Sequence, residues 1–353
     1  MKLKLNDRQK QIINFAKNEK SFQTKDVFEF IKKDFPVERL TVVRDLAFLE
    51  KNKVLKKQGK GRGISYKISK KYLVIEEIDV EEYYETYFKN RKIKMQFNKE
   101  IFTLLEDGIF DDEELKNLER LNKKYLKLEK SLRKESPAIF RKEWERLIIE
   151  FSWKSSEIEG NTYSLLETEA LIKEMHFAKG KDKLDAQMIL NHKEALDYIM
   201  ENKNDLKKIS AQKIEKVHNI LAKGLGINLD FRDRIVTIGG TLYRPLFQRE
   251  EIVTAINRMA KVINKIKNPF EQAFIALIMI AYIQPFDDGN KRTSRLIANA
   301  ILHANGKAML SYRDVDTVEY KKAVLLFYEQ NNVFYFKKIF MEQFDFAVNN
   351  YFL

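Results

Sequence analysis

The chain has no cysteine among its 353 residues. Disulfides, cysteine-bearing zinc sites and thiol nucleophiles are therefore excluded. Glycine and proline are scarce, at 12 and 5, too few for the turns of an all-β fold, so the expected class is mainly α. Long apolar runs are also missing. The most apolar stretch, Ala273 to Ile283, is about half of the ~20 residues a membrane span needs, and it reads as a buried helix. The start, Met1-Lys2-Leu3-Lys4-Leu5, leads into a polar pattern without a signal-peptide core, so a cytoplasmic protein with no membrane partner is expected.

What remains is ample for burial: 44% hydrophobic and 12% aromatic residues, with a length that suggests two or three domains. The net charge is +13, and it is unevenly spread. Residues 1–68 hold 18 Lys and Arg against 8 Asp and Glu, which points to a polyanion partner for this part alone.

Within residues 1–68 the pattern predicts three helices: Asp7 to Asn18, Lys25 to Lys33 capped by Thr24, and about Arg39 to Asn52. Leu40, Val43, Leu46 and Leu49 are expected to face the core from the third. Two short strands then flank a basic Gly-rich turn, Gln58 to Gly63. Three helices and a basic hairpin resemble a winged helix-turn-helix, whose third helix carries T-V-V-R-D-L here. That resemblance implies DNA contacts from Thr41, Arg44, Lys51 and Lys53, with Lys56, Lys57, Lys60 and Arg62 on phosphates. Such domains often act as dimers on symmetric sites, so a homodimer is expected. Residues 69–139 read as a helical connector, acidic and aromatic at first, with a long amphipathic helix from Asp111 to Lys134.

The informative stretch follows Ala273 to Tyr282. It reads Gln284-Pro285-Phe286-Asp287-Asp288-Gly289-Asn290-Lys291-Arg292-Thr293-Ser294-Arg295 and opens a new helix. A Gly-bearing loop at a helix start aims free backbone N–H groups at an anion. Arg292 and Arg295, three apart, share a helix face and can clamp phosphate oxygens. Asp288 is a hard oxygen ligand suited to Mg²⁺ that bridges phosphates.

This run resembles the Fic motif, H-x-F-x-[DE]-G-N-[GK]-R-x-x-R, at every fixed position except the first. Ser155-Ser156-Glu157-Ile158-Glu159-Gly160 resembles the family's inhibitory pattern S-x-x-x-E-[GN], carried on a helix around 150–162. The segment 234–245 resembles its target-docking β-hairpin flap. The resemblance covers about 140–345 and implies a helical bundle that transfers AMP from ATP to a Ser, Thr or Tyr hydroxyl of a protein target. It assigns Mg²⁺ to Asp288, and phosphates to Asn290, Arg292 and the loop amides around Phe286, Gly289 and Lys291. Arg295 takes the γ-phosphate, and Tyr320 lies near the adenine. Val236, Thr237, Ile238 and Gly239 border the nucleotide and pair with an extended target segment. Glu159, with Ser155 and Gly160, restrains Arg295.

Two departures matter. Gln284 stands where the family has its histidine base, and an amide does not titrate. The change is consistent with an engineered inactivation, a natural nucleotide-binding pseudoenzyme, or a base supplied by the target or water. His176, His192, His218 and His303 all lie outside the motif and read as structural residues. Lys291 is typical of the Doc branch, whose members resemble the rest but act as protein kinases. The expected activity is therefore AMP transfer, restrained and weak or absent. The alternatives are a nucleotide-sensing DNA-binding regulator and a Doc-like kinase.

Overall fold

The computed structural model describes residues 3–86, 90–91 and 93–353. These hold sixteen α-helices and one two-stranded sheet. The chain divides into two compact units, Met1–Glu77 and Ile78–Leu353.

In the first unit α1 (Asp7–Asn18) starts with a reciprocal cap between Asn6 and Gln9. Then come α2 (Thr24–Ile31), α3 (Arg39–Lys51), β1 (Leu55–Gln58), β2 (Ser65–Ile68) and α4 (Lys70–Ile75). Thr24 is not the cap of α2 but its first residue. Gln23 precedes it, with its N–H donating to Asp26 Oδ2 at 2.8 Å. The strands pair antiparallel from Leu55↔Ile68 to Gln58↔Ser65. Gly59 sits at φ +80°, where an added Cβ would meet Gly63 O at 2.3 Å, so this turn requires glycine.

The core gathers Ile12, Ile13, Val27, Ile31, Val42, Leu46 and Leu49. Leu40 and Val43 do not join it; they are 56% and 41% exposed. The buried positions of α3 are Val42, Asp45, Leu46 and Leu49, a 3.6-residue repeat, and a spacing of three drifts off that face. Asp45 is buried because α1 satisfies it, through Arg8 Nε and Gln9 Nε2.

The second unit runs α5 (Val80–Glu85), α6 (Ile101–Leu105), α7 (Asp112–Glu135), α8 (Pro137–Glu157), α9 (Leu165–Glu174) and α10 (Lys183–Glu201). It continues with α11 (Ala211–Ala222), α12 (Arg249–Lys265), α13 (Pro269–Ile283), α14 (Asn290–Ala304), α15 (Thr317–Gln330) and α16 (Phe334–Asn350). Helix α13 is the axis. It is buried all round, packing against α12, α14 and α15, as expected of a helix with no polar face. No helix of the described residues is long and apolar enough to cross a membrane.

The stretch 69–139 runs across the boundary between the two units. Helix α4 belongs to the first unit, while α5 to α7 are stitched onto the bundle of the second. Tyr84 OH donates to Lys322 O at 2.8 Å, Asn98 N–H to Tyr282 OH at 3.0 Å, and Ile109 N–H to Glu271 Oε1 at 2.9 Å.

Candidate functional site

Helix α13 ends at Gln284 in the left-handed region, φ +51°, with its N–H still donating to Ile280 O at 3.1 Å. The loop then turns through Gly289, φ +75°, which leads into α14 with no side-chain cap. The first-turn N–H groups of α14 thus depend on a partner from outside the helix. Asn290 holds the loop closed: it accepts from Phe286 N–H at 2.8 Å and donates to Phe286 O at 2.8 Å. Phe286 is fully buried and stacked on His218 at 3.6 Å, so it supports the loop from inside.

Both ends of the Gln284 amide are engaged. Its Nε2 donates to Ala281 O at 2.6 Å and to Tyr328 OH at 3.3 Å, and its Oε1 accepts from Asn290 Nδ2 at 2.9 Å. Its carbonyl accepts from Arg232 Nε at 2.6 Å. No histidine takes its place. Burial holds the His218 ring neutral, with its pKa lowered to about 4, under Phe286 and beside Thr293.

Arg292 is buried, with Nη2 donating to Asp288 Oδ2 at 2.9 Å and Nη1 lacking any partner. Burial holds its pKa below the usual range. An orphaned guanidinium N–H at a helix start is a fit for phosphate. Asp288 is 70% exposed. Among the described residues no group of three or more His, Asp or Glu could hold a metal ion. One carboxylate suits Mg²⁺ only in company with phosphate oxygens and waters.

Arg295 is fully buried, and its donors are accounted for from two elements. Ser155 accepts from it through Oγ at 2.9 Å and through its carbonyl at 2.8 Å. Glu159 Oε1 lies 3.0 Å from Nη2. The other Glu159 oxygen is 2.6 Å from Lys291 Nζ. Burial alone would raise the Glu159 pKa, but Arg295 and Lys291 outweigh it and bring it down to about 2. Lys291 thus faces Glu159, one turn away from Arg295 on the same helix. Gly160 follows at φ +99°.

Tyr320 lies behind Arg295, its OH 3.5 Å from Nη1 and its ring under the guanidinium. Behind Ser155 stands His192, held neutral by burial with its pKa lowered to about 3. Since Ser155 Oγ accepts from Arg295, it donates to His192 Nε2 at 3.1 Å, and His192 Nδ1–H donates to Met188 O at 2.8 Å.

Residues 234–245 turn at Gly239-Gly240 but form no ladder of their own, since the sheet of the described residues is β1–β2 alone. Each arm is tied separately to the bundle. Arg234 makes a two-pronged ion pair with Asp287 at 2.6 and 2.7 Å, and Tyr243 OH donates to Tyr282 O at 2.8 Å. Val236 and Ile238 are half-buried, while Thr237 and Gly239 are exposed.

Residues 208–302 match the Fic/DOC family. This chain carries a Fic domain. The match spans α11 to α14 and the whole loop; Ser155, Glu159 and Tyr320 reach the Fic loop from outside the matched residues. The protein adenylyltransferase Fic of Nematostella vectensis is 28% identical over 179 residues, which are 48% of this chain and 40% of that protein. Its counterpart in Aedes aegypti is 30% identical over 167 residues, 45% of this chain and 32% of that protein. The chain thus matches less than half the length of these curated relatives. A Fic domain-containing signalling protein from Bacteroides thetaiotaomicron superposes with a TM-score of 0.54 at 20% identity, over 65% of this chain and 94% of that one, which shows a shared fold.

Sequence reasoning missed Arg232, the buried guanidinium that ties the loop carbonyl of Gln284 to those of Arg234 and Leu246. It also missed the Arg234–Asp287 pair and the His192 support of Ser155. No local pattern marks them. In the first unit, Arg44, Lys51, Lys53, Lys56, Lys57 and Lys60 are exposed on α3 and the hairpin, and Thr41 is half-buried. The side chain of Arg62 lies outside the described residues.

Proposed function

We propose that the chain is a Fic-type protein adenylyltransferase kept at a low rate by two devices, the Glu159 clamp and the missing base at Gln284. The observation that carries this reading is the pair of buried arginines at the start of α14. Arg292 has an unpartnered N–H, and Arg295 is held by a carboxylate that an anion can replace. In the reaction a target hydroxyl attacks the α-phosphorus of ATP and pyrophosphate leaves. Arg292, Asn290 and the loop amides hold the phosphates, and Arg295 takes the γ-phosphate once Glu159 withdraws. Mg²⁺, held by Asp288 and phosphate oxygens, supplies charge neutralisation when bound. With Gln284 in place the hydroxyl proton has no protein base and passes to solvent, at a cost of about 10²- to 10⁴-fold in rate. The open arms of 234–245 support docking of the target as an added strand.

The test is incubation with Mg²⁺ and ATP labelled at the α-phosphate, using the chain, Gln284→His, and Gln284→His with Glu159→Gly. Label should rise about 10²-fold or more with histidine and rise again without Glu159. Label from the γ-phosphate alone would instead favour a Doc-like kinase.

A second reading has its own observation. Gln284 is fully hydrogen-bonded in the buried network, as a residue with a structural role would be. On that reading nucleotide occupancy is sensed and passed to DNA binding by residues 1–68, in a dimer on a symmetric site. DNA affinity would then change with ATP while no AMP is attached.

A further inference from the structure

The second unit has a large cleft away from the Fic loop, with a volume of about 1070 Å³. It lies between the first half of α8 and the second half of α10, and is closed by the end of α9 and by His303 on α14. We propose that this cleft is a second ligand site, for a small organic anion with an aromatic or flat apolar body.

The floor is apolar. Trp144 forms its centre, edge-on to His303 at 5.4 Å and near Phe140 at 6.5 Å, with Ile148, Ile172 and Met200 around it. The rim is cationic. Arg133, Arg141, Lys173, Lys193 and Lys203 line it against two carboxylates, Glu145 and Asp197. Those carboxylates are answered locally: Asp197 lies 2.7 Å from Lys193, and Glu145 lies 3.8 Å from Lys173. Arg133 pairs with Glu129 and covers the Phe140 ring. The side chains of Arg141 and Lys203 make no ion pair or hydrogen bond among the described residues. Two unspent cations above an aromatic floor select an anion with a flat body over a bare inorganic ion, which the floor would not hold. The excess of positive charge rejects cations and metals. The volume suits a single small molecule.

His303 adds a polar edge. Burial, with Lys203 and Arg133 nearby, lowers its pKa to about 4, so at neutral pH its ring can accept or donate a hydrogen bond without charge. The cleft is separate from the nucleotide loop, but shares its walls. Trp144 and Ser155 lie on α8, about 16 Å apart along the axis, and His303 and Arg295 on α14, about 12 Å apart. Lys193 and Met200 in the cleft follow His192 on α10.

The test uses the full chain and 1-anilinonaphthalene-8-sulfonate, an aromatic anion whose fluorescence reports binding, at physiological salt. Saturable binding is expected, and Arg141→Glu with Lys203→Glu should weaken it at least tenfold at an unchanged melting temperature. Neither side chain is buried, and neither makes an ion pair or side-chain hydrogen bond among the described residues, so the double variant is expected to keep its structure. The uncharged analogue N-phenyl-1-naphthylamine should lose less than twofold. Equal affinity of the sulfonate for both proteins, or no saturable binding, overturns the proposal.

Discussion

At the residue scale the decisive group is Glu159. It answers two cations at once, one oxygen on Arg295 and the other on Lys291. Its pKa is about 2 in the fold against 4.5 for the free group, so its contribution is complete above about 4.5 and is lost only as pH falls towards 2. On the proposed reading, mild acid therefore does not open the clamp, and a competing anion must. Glu159→Ala should cost on the order of 3 kcal/mol of stability, since it leaves a buried guanidinium without its carboxylate. Mg·ATP should then raise the melting temperature of the variant more than that of the parent chain, because phosphate refills the gap. Equal shifts in the two proteins would remove the clamp from the mechanism. The loop residues of this site were legible in the sequence because they are contiguous and each type has a plain chemical use. Arg232, His192 and Tyr328 were not, because the site residues they support, Gln284 and Ser155, lie 37 to 52 positions away and nothing local announces them.

At the element scale, the flap and the Fic loop are joined by one exposed latch, Arg234 on Asp287. Arg234→Ala should leave the melting temperature unchanged and speed amide exchange across 234–245, read by mass spectrometry. Unaltered exchange would show that Arg232 and Tyr243 hold the segment without it. The elements themselves were uneven in legibility. The amphipathic repeat placed α7 within a residue at each end, and the apolar run from Ala273 placed α13, though its first turn at Pro269 was not seen. A periodicity of three, in place of 3.6, put Leu40 and Val43 on the wrong face of α3. The flap drew its hairpin expectation from the family resemblance. Its arms instead spend their anchors on the bundle, and Arg244 N–H bonds Met95 O.

At the scale of the whole molecule, proton linkage sets the working range of the second unit. His192, His218 and His303 are each held neutral by burial, with pKa values of about 3, 4 and 4 against 6.5 for free histidine. As pH falls below 6.5 the unfolded chain binds protons at these rings and the folded chain does not. Stability should therefore fall on acidification, by about 1.4 kcal/mol per pH unit for each ring, until the folded values are reached. Urea midpoints compared at about pH 7 and pH 5 measure this; a flat profile would mean that the rings are protonated in the fold. The charge asymmetry read from the sequence is spread over the first unit: Lys56, Lys57 and Lys60 are exposed on the hairpin, but so are Lys10 and Lys17 on α1 and Lys25 on α2.

Gln284 has a genetic consequence. Histidine and glutamine codons differ only in their third base, so one nucleotide change separates this chain from one with an imidazole at the end of α13. Everything else that the proposed reaction needs is kept: the loop, both arginines and the flap. On that reading a lineage carrying this gene can regain a base in a single step. The Glu159 clamp would then set how fast such a revertant transfers AMP.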